Sequence, residues 1–183
     1  MLDARTVEVD DAYIGARGGG AGRGTSQQAL IVAVDRAPAG KGSCIVRVAE
    51  DCSGDSYRQF GHDHLCHASR IRTDSWSGSK AGLAGFNVVQ KQYSKGDRDA
   101  SLPMAHKVIS NFKAYVEGTF HGLSAEHMQA YADAFSWRYS HRTSDNPADD
   151  LLKEVCLMHV PRKGIPGMAA IQPKMGPGLQ PAV

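Results

Sequence analysis

The sequence has no Cys-X-X-Cys pair, no long apolar run and almost no excess of one charge, and each absence narrows what the chain can be. Its four cysteines, Cys44, Cys52, Cys66 and Cys156, stand far apart. Neither a zinc ribbon nor a paired-thiol redox motif is therefore legible. No apolar stretch approaches the roughly 18 residues of a membrane span, and Met1-Leu2-Asp3-Ala4-Arg5 lacks the apolar core of a signal peptide. These features read as a cytoplasmic chain with reduced thiols and no membrane partner. Lys and Arg number 21 against 19 Asp and Glu, a formal net charge of +2. That balance permits nucleic-acid binding without arguing for it.

What is present fits one globular domain. The 183 residues, 42% of them hydrophobic, suffice for a sizeable core. Val7 to Ile14 alternates, with Val7, Val9 and Asp11 on one strand face and Glu8, Asp10 and Ala12 on the other. A Gly- and Arg-rich loop spans Gly15 to Thr25, and Ala29 to Val34 is a continuous apolar run suited to a buried strand. Cys44 to Val48 reads as a third strand, giving an antiparallel meander. A short helix through Tyr57 and Phe60 follows. Next come a strand from Ser69 ending in Asp74, a short helix from Ala81 to Phe86, and a strand from Asn87 to Gln90.

The second half is helical. Met104, Val108, Phe112 and Tyr115 recur at helical spacing, as do Met128, Tyr131, Phe135 and Tyr139. Ser124 is the expected N-cap of this last helix. From Pro161 onward Pro and Gly recur without period. The expected organisation is a domain over residues 1–145 and a largely disordered extension over 146–183. The element order predicts an α/β fold of RNase H-like plan: a three-strand antiparallel meander extended by parallel strands and flanked by helices. Fold alone gives no function.

Chemistry resides in the acids. If the strands holding Asp10 and Asp74 are neighbours, their carboxylates converge despite the distance in sequence. Paired hard oxygens are what Mg²⁺ or Mn²⁺ requires, and two such ions can drive phosphodiester cleavage. For two isolated aspartates the plainer reading is a strand-edge acid and a turn former.

The surrounding residues favour the site. Val7-Glu8-Val9-Asp10-Asp11-Ala12-Tyr13-Ile14-Gly15 resembles the VEVDETYIGG segment of ISXO-type insertion-sequence transposases of the DDE superfamily. Ile71-Arg72-Thr73-Asp74-Ser75-Trp76 resembles that family's second acidic block. Thr119-Phe120-His121-Gly122-Leu123-Ser124, followed by His127, Tyr131, Phe135 and Arg138-Tyr139-Ser140-His141-Arg142, resembles its C-terminal signature. The blocks occur in the family's order. The resemblance implies metal-dependent cleavage of insertion-sequence ends and their transfer to target DNA, by a homo-oligomer on DNA. It makes Asp10 and Asp74 the first two metal ligands, with Mg²⁺ or Mn²⁺ as cofactor.

In many members the third ligand is Glu or Asn, followed two turns later by Lys. The matching stretch here, Leu102 to Lys113, puts His106 in the acid's place and Lys113 in the lysine's. One branch of the family is similar, with His third. Seven residues are nearly two turns, so both side chains share a helix face about 10 Å apart. Imidazole can ligate the metal or act as a base near neutral pH. Pro103 suits a first turn, with Ser101 as a cap. Arg17, Arg23, Lys113, Arg138 and Arg142 are the candidate DNA contacts. Alternation turns Asp11 away from the site, and His62-Asp63-His64-Leu65-Cys66-His67 has no second ligand pair for zinc.

The family usually carries an N-terminal zinc ribbon and further DNA-binding region; no Cys-X-X-Cys precedes Asp10 here, and that region is expected to be absent. Two alternatives therefore stand beside the transposase: an inactive truncated remnant with weak DNA binding, and another RNase H-like nuclease.

Overall fold

The computed structural model describes residues 2, 6–15, 27–37, 42–67, 69–74, 76–90, 102–120 and 125–157. Five strands form one mixed sheet: β1 (Thr6–Ile14), β2 (Gln28–Asp35), β3 (Cys44–Ala49), β4 (Arg70–Thr73) and β5 (Asn87–Gln90). Their order across the sheet is β3-β2-β1-β4-β5. The first three pair antiparallel as the expected meander, and β4 and β5 add parallel on the other side of β1. The helices are α1 (Gly54–His64), α2 (Ser77–Gly82), α3 (Pro103–Phe120), α4 (Met128–Ser140) and α5 (Pro147–Leu157), with a 3-10 turn at Ala125–His127 before α4.

The period of two in the strands sorts apolar side chains into two cores. Leu30, Val32 and Val34 of β2 face Val108 and Phe112 of α3 and Phe135 and Tyr139 of α4. Ala29, Ile31 and Ala33 join Val7 and Val9 of β1 in the opposite core, with Tyr57 and Phe60 of α1 and Leu83 beyond α2. The apolar run Ala29–Val34 is thus buried on both faces, which is why it has no polar alternation.

The short second helix lies earlier than its sequence suggests. Residues Ser77–Gly82 form it, whereas Leu83 to Gly85 turn towards β5. Ser-Gly-Ser-Lys-Ala-Gly has no amphipathic stripe, and tertiary contact sets its place. A Cβ on Gly82 would lie 2.4 Å from the Gly54 carbonyl oxygen and 2.5 Å from Tyr57 Cβ, so only glycine admits this approach of α2 to α1. Ser101 and Ser124, the expected caps of α3 and α4, lie outside the described residues.

The chain divides into two compact units, 1–145 and 146–183. In the second, α5 occupies part of the stretch expected to be largely disordered, and residues 158–183 lie outside the described set. Asn146 caps this helix through Oδ1, which accepts from the Asp149 amide at 3.2 Å, and Pro147 takes its first position. Leu151, Leu152, Val155 and Leu157 are exposed on it. No described helix is long and apolar enough to cross a membrane.

β3 is an edge strand, and its outward amides are occupied. Cys44 N donates to Ser140 Oγ (3.2 Å), Val46 N to Ser136 Oγ (3.0 Å) and Val48 N to Gln129 Oε1 (2.8 Å). Alternate strand residues thus meet a polar row on α4, which closes the edge to a further strand. Replacing Ser136 and Gln129 together by Ala leaves two amides unsatisfied, at about 1–3 kcal/mol each. Urea denaturation should show that loss, and light scattering should show increased self-association.

Candidate active site

β1 is the middle strand of the sheet, and its residues Glu8 and Asp10 point towards α3. The parallel register pairs Glu8 with Arg72. Asp10 lies two residues beyond Glu8 on β1, and Asp74 follows the last residue of β4. Asp10 Oδ2 lies 3.1 Å from His106 Nε2. Its other oxygen, Oδ1, accepts from the Asp11 amide at 2.9 Å, which fixes the carboxylate plane. The Asp10 side chain is 12% exposed and that of His106 32%, so the pair opens to solvent from a largely closed floor.

Asp74 follows β4 directly and leads into α2. Its Oδ1 accepts from the Trp76 amide at 3.1 Å and from Ser79 Oγ at 3.4 Å. The indole of Trp76 in turn donates to the Cys52 carbonyl at 3.1 Å. Among the described residues no three His, Cys, Asp or Glu side chains form a ready group for a metal. Asp10 and His106 are in contact, whereas Asp74 is bonded to Trp76 and Ser79.

Asp11 does point the other way. Tyr57 Oη donates to Asp11 Oδ1 at 2.8 Å. Burial raises the Tyr57 phenol far above its ordinary pKa, and the negative charges of Asp11, Asp10 and Asp74 add to the rise. This phenol is a fixed donor, and it marks how closely three acids gather around one strand.

The residue that sequence reasoning missed is Glu8. Fully buried, it reaches the first turn of α3: its Oε2 accepts from Met104 N at 2.8 Å and from Ala105 N at 3.1 Å. These are the amides that an N-cap side chain serves; here the acceptor comes from 96 residues earlier. Oε1 meets Arg36 Nε at 3.2 Å and Arg72 Nη1 at 3.6 Å. Because Ala105 immediately precedes His106, Glu8 sets where the imidazole stands. The available signal was the shared face of Glu8 and Asp10, two residues apart on one strand.

The remaining candidates scatter. Lys113 is half-buried on α3, seven residues beyond His106 and so on the same helical side. Arg138 is exposed, its guanidinium 5.9 Å from the Tyr115 ring centre. Arg142 donates to the Gly42 carbonyl at 2.7 Å and to that of Tyr139, and stacks 3.8 Å over the Tyr139 ring. Those bonds tie the end of α4 to the turn before β3. Arg17 and Arg23 lie outside the described residues. The histidine-rich stretch disperses: His62 pairs with Asp63, His64 accepts from Arg47 Nε at 3.1 Å, and His67 stacks on Phe86. Burial, and then the Arg47 charge, hold His64 below its ordinary pKa, consistent with a neutral acceptor.

Comparison with known proteins bears on family and fold. The chain matches the ISXO2-like transposase domain family over residues 2–140. It belongs to that family. No curated protein matches it. Among solved structures it is similar to a chain in the simian T-cell lymphotropic virus intasome, solved in complex with PP2A regulatory subunit B56 gamma. The TM-score is 0.50 at 10% identity, over 75% of this chain and 48% of that one, so this chain spans about half of its neighbour's length. That likeness concerns the fold, which is RNase H-like.

Removing the Glu8 carboxylate exposes how much the site leans on it. Glu8→Ala leaves two helix amides and two guanidinium groups without their anion and should cost about 3–5 kcal/mol. Glu8→Gln, which keeps one acceptor oxygen, should cost less. Guanidinium denaturation of the two variants measures both; a loss below about 1 kcal/mol for Glu8→Ala would contradict the network.

Proposed function

We propose that the chain is the catalytic domain of a DDE-type transposase, cutting phosphodiesters at insertion-sequence ends and joining them to target DNA. The observation that carries this reading is the 3.1 Å contact of Asp10 Oδ2 with His106 Nε2. Family membership supports it. Asp10, Asp74 and His106 would hold a divalent ion. Hard oxygens suit Mg²⁺ or Mn²⁺, and the imidazole tilts the set towards Mn²⁺. Such an ion, when bound, activates the attacking hydroxyl and stabilises the leaving oxygen.

The chain's own groups have distinct tasks. Asp10 is held by its neighbour's amide and presents Oδ2 towards His106. When it is not a ligand, His106 can hold a proton at Nε2 and donate it to Asp10 Oδ2. Asp74 is tethered through Oδ1 and has to turn towards the pair to complete a three-ligand set. Lys113 and Arg138 are proposed phosphate contacts, with Arg17, Arg23 and Arg142 as further candidates. The active form is proposed as a homo-oligomer assembled on DNA ends.

The separation of Asp74 from the Asp10–His106 pair favours a second reading, an inactive remnant that binds DNA weakly. Calorimetric titration of Mn²⁺ and Mg²⁺, with and without a short duplex, separates the two. The wild type should bind metal and nick the duplex, and an Asp10→Asn/Asp74→Asn double variant should lose both. Equal heats from the two proteins, with DNA present, would establish the remnant instead. Strand cleavage of RNA–DNA hybrids without any DNA joining would point to another RNase H-like nuclease.

A further inference from the structure

A hollow of about 370 Å³ is lined by Thr6, Arg36, Arg70, Arg72 and Val89, on the strands that lead to Asp10 and Asp74. The register explains why these residues meet. Thr6 pairs with Arg70 across β1 and β4, and Arg72 pairs with Val89 across β4 and β5. Arg72 is also the partner of Glu8, so the row belongs to the face that carries Asp10. Arg36 enters from just beyond the end of β2.

Three guanidinium groups gather around one hollow and repel one another. Glu8 Oε1 meets Arg36 at 3.2 Å and Arg72 at 3.6 Å. Arg70 is exposed there, and the Arg36 side chain is 41% exposed. Planar guanidinium groups offer paired donors at the spacing of phosphate oxygens, unlike ammonium groups. The hollow is therefore suited to a tetrahedral oxyanion. Arg72 precedes Asp74 by two residues, a strand distance of about 6.6 Å. A phosphate held by the arginines thus lies close to one held at the acids.

We infer that Arg36, Arg70 and Arg72 form a clamp for a backbone phosphate of the DNA strand whose neighbouring phosphodiester is cut at Asp10 and Asp74. This rests on the phosphoryl-transfer reading above. The clamp adds positioning without sequence preference, since phosphates carry no base information. Glu8 then has two roles: it fixes α3 on one side, and on the other holds two arginines at the rim of the hollow. One carboxylate couples the imidazole's position to that of the incoming strand.

The test is binding of a fluorescent duplex across a salt series, using the full chain, Arg70→Gln and Arg70→Lys. Arg70 is chosen because it is exposed and makes no described bond to Glu8; circular dichroism checks that each variant folds. Arg70→Gln should weaken binding several-fold at low salt and flatten the slope of log K against log salt by about 0.9. Arg70→Lys should restore the slope but not the full affinity, because the charge returns without the fork. Unchanged affinity and slope in Arg70→Gln overturn the clamp, as does a wild type with no salt-dependent binding. A titration with inorganic phosphate separates the sources: phosphate binding lost in Arg70→Gln while duplex binding is unaltered means a small-anion pocket and overturns the DNA assignment. Metal-dependent nicking is scored in the same samples. Nicking that needs Asp74 but ignores Arg70, in binding and rate, removes the clamp and leaves the catalytic reading. An Arg70 effect on binding without any nicking removes the catalytic reading, leaves Arg70 as a DNA contact and overturns the clamp's link to a cut phosphodiester.

Discussion

The buried carboxylate of Glu8 is the constraint on which the site depends. Taking an ionised carboxylate out of water costs several kcal/mol, and the fold offsets that cost from two directions. The first-turn amides of α3 donate to one oxygen, where the helix dipole also favours negative charge. The guanidinium groups of Arg36 and Arg72 face the other. The start of α3, the middle of β1 and the row of arginines on β4 therefore share one arrangement. His106, one residue past the second bonded amide, inherits its place from it.

The site is built from both sides of the sheet. Asp10 and His106 belong to the layer of α3 and α4, whose core is Val108, Phe112 and Phe135. Asp74 is bonded to the start of α2, which packs on α1 through the glycine contact at Gly82. The strand pairing of β1 with β4 is what joins the two. A change in α1 or α2 can thus reach Asp74 without disturbing the Asp10–His106 contact, and a change at Glu8 acts on the other half. Separate control of the two carboxylates is a physical consequence of bonding them to different layers.

Much of this was legible in the residues alone, for reasons that differ by element. β1 and the Ala29–Val34 run of β2 were readable because alternation and continuous apolarity report one-sided and two-sided burial directly. Asp10, Asp74 and His106 were singled out through the flanking motifs, and the structure brings Asp10 and His106 into contact. The place of α2 was misjudged because Ser77–Gly82 has no apolar stripe; side-chain bonds from Asp74 and the packing of Gly82 decide it. α5 was overlooked although Asn146-Pro147 and the early acids Asp149 and Asp150 are an ordinary helix start. Glu8 was set aside for a different reason. Its partners Met104 and Ala105 are 96 and 97 residues away, and no local pattern announces a cap delivered from another element.

The same long-range logic accounts for the outer strand. β3 would be an open edge, yet Gln129, Ser136 and Ser140 of α4 meet its alternate amides. Their spacing of seven and four residues keeps them on one side of the helix. The neighbouring stripe of Met128, Ala132, Phe135 and Tyr139 is the apolar one and enters the core. α4 thus presents two adjacent stripes, one that packs against the sheet and one that ends it. The polar residues in what reads as a weakly amphipathic helix are therefore structural. They leave the opposite edge, where β5 follows the arginine-bearing β4, as the side without such a helix-borne row among the described residues. Growth of the sheet is blocked where α4 lies, and the arginine-lined hollow is on the side of β4 and β5.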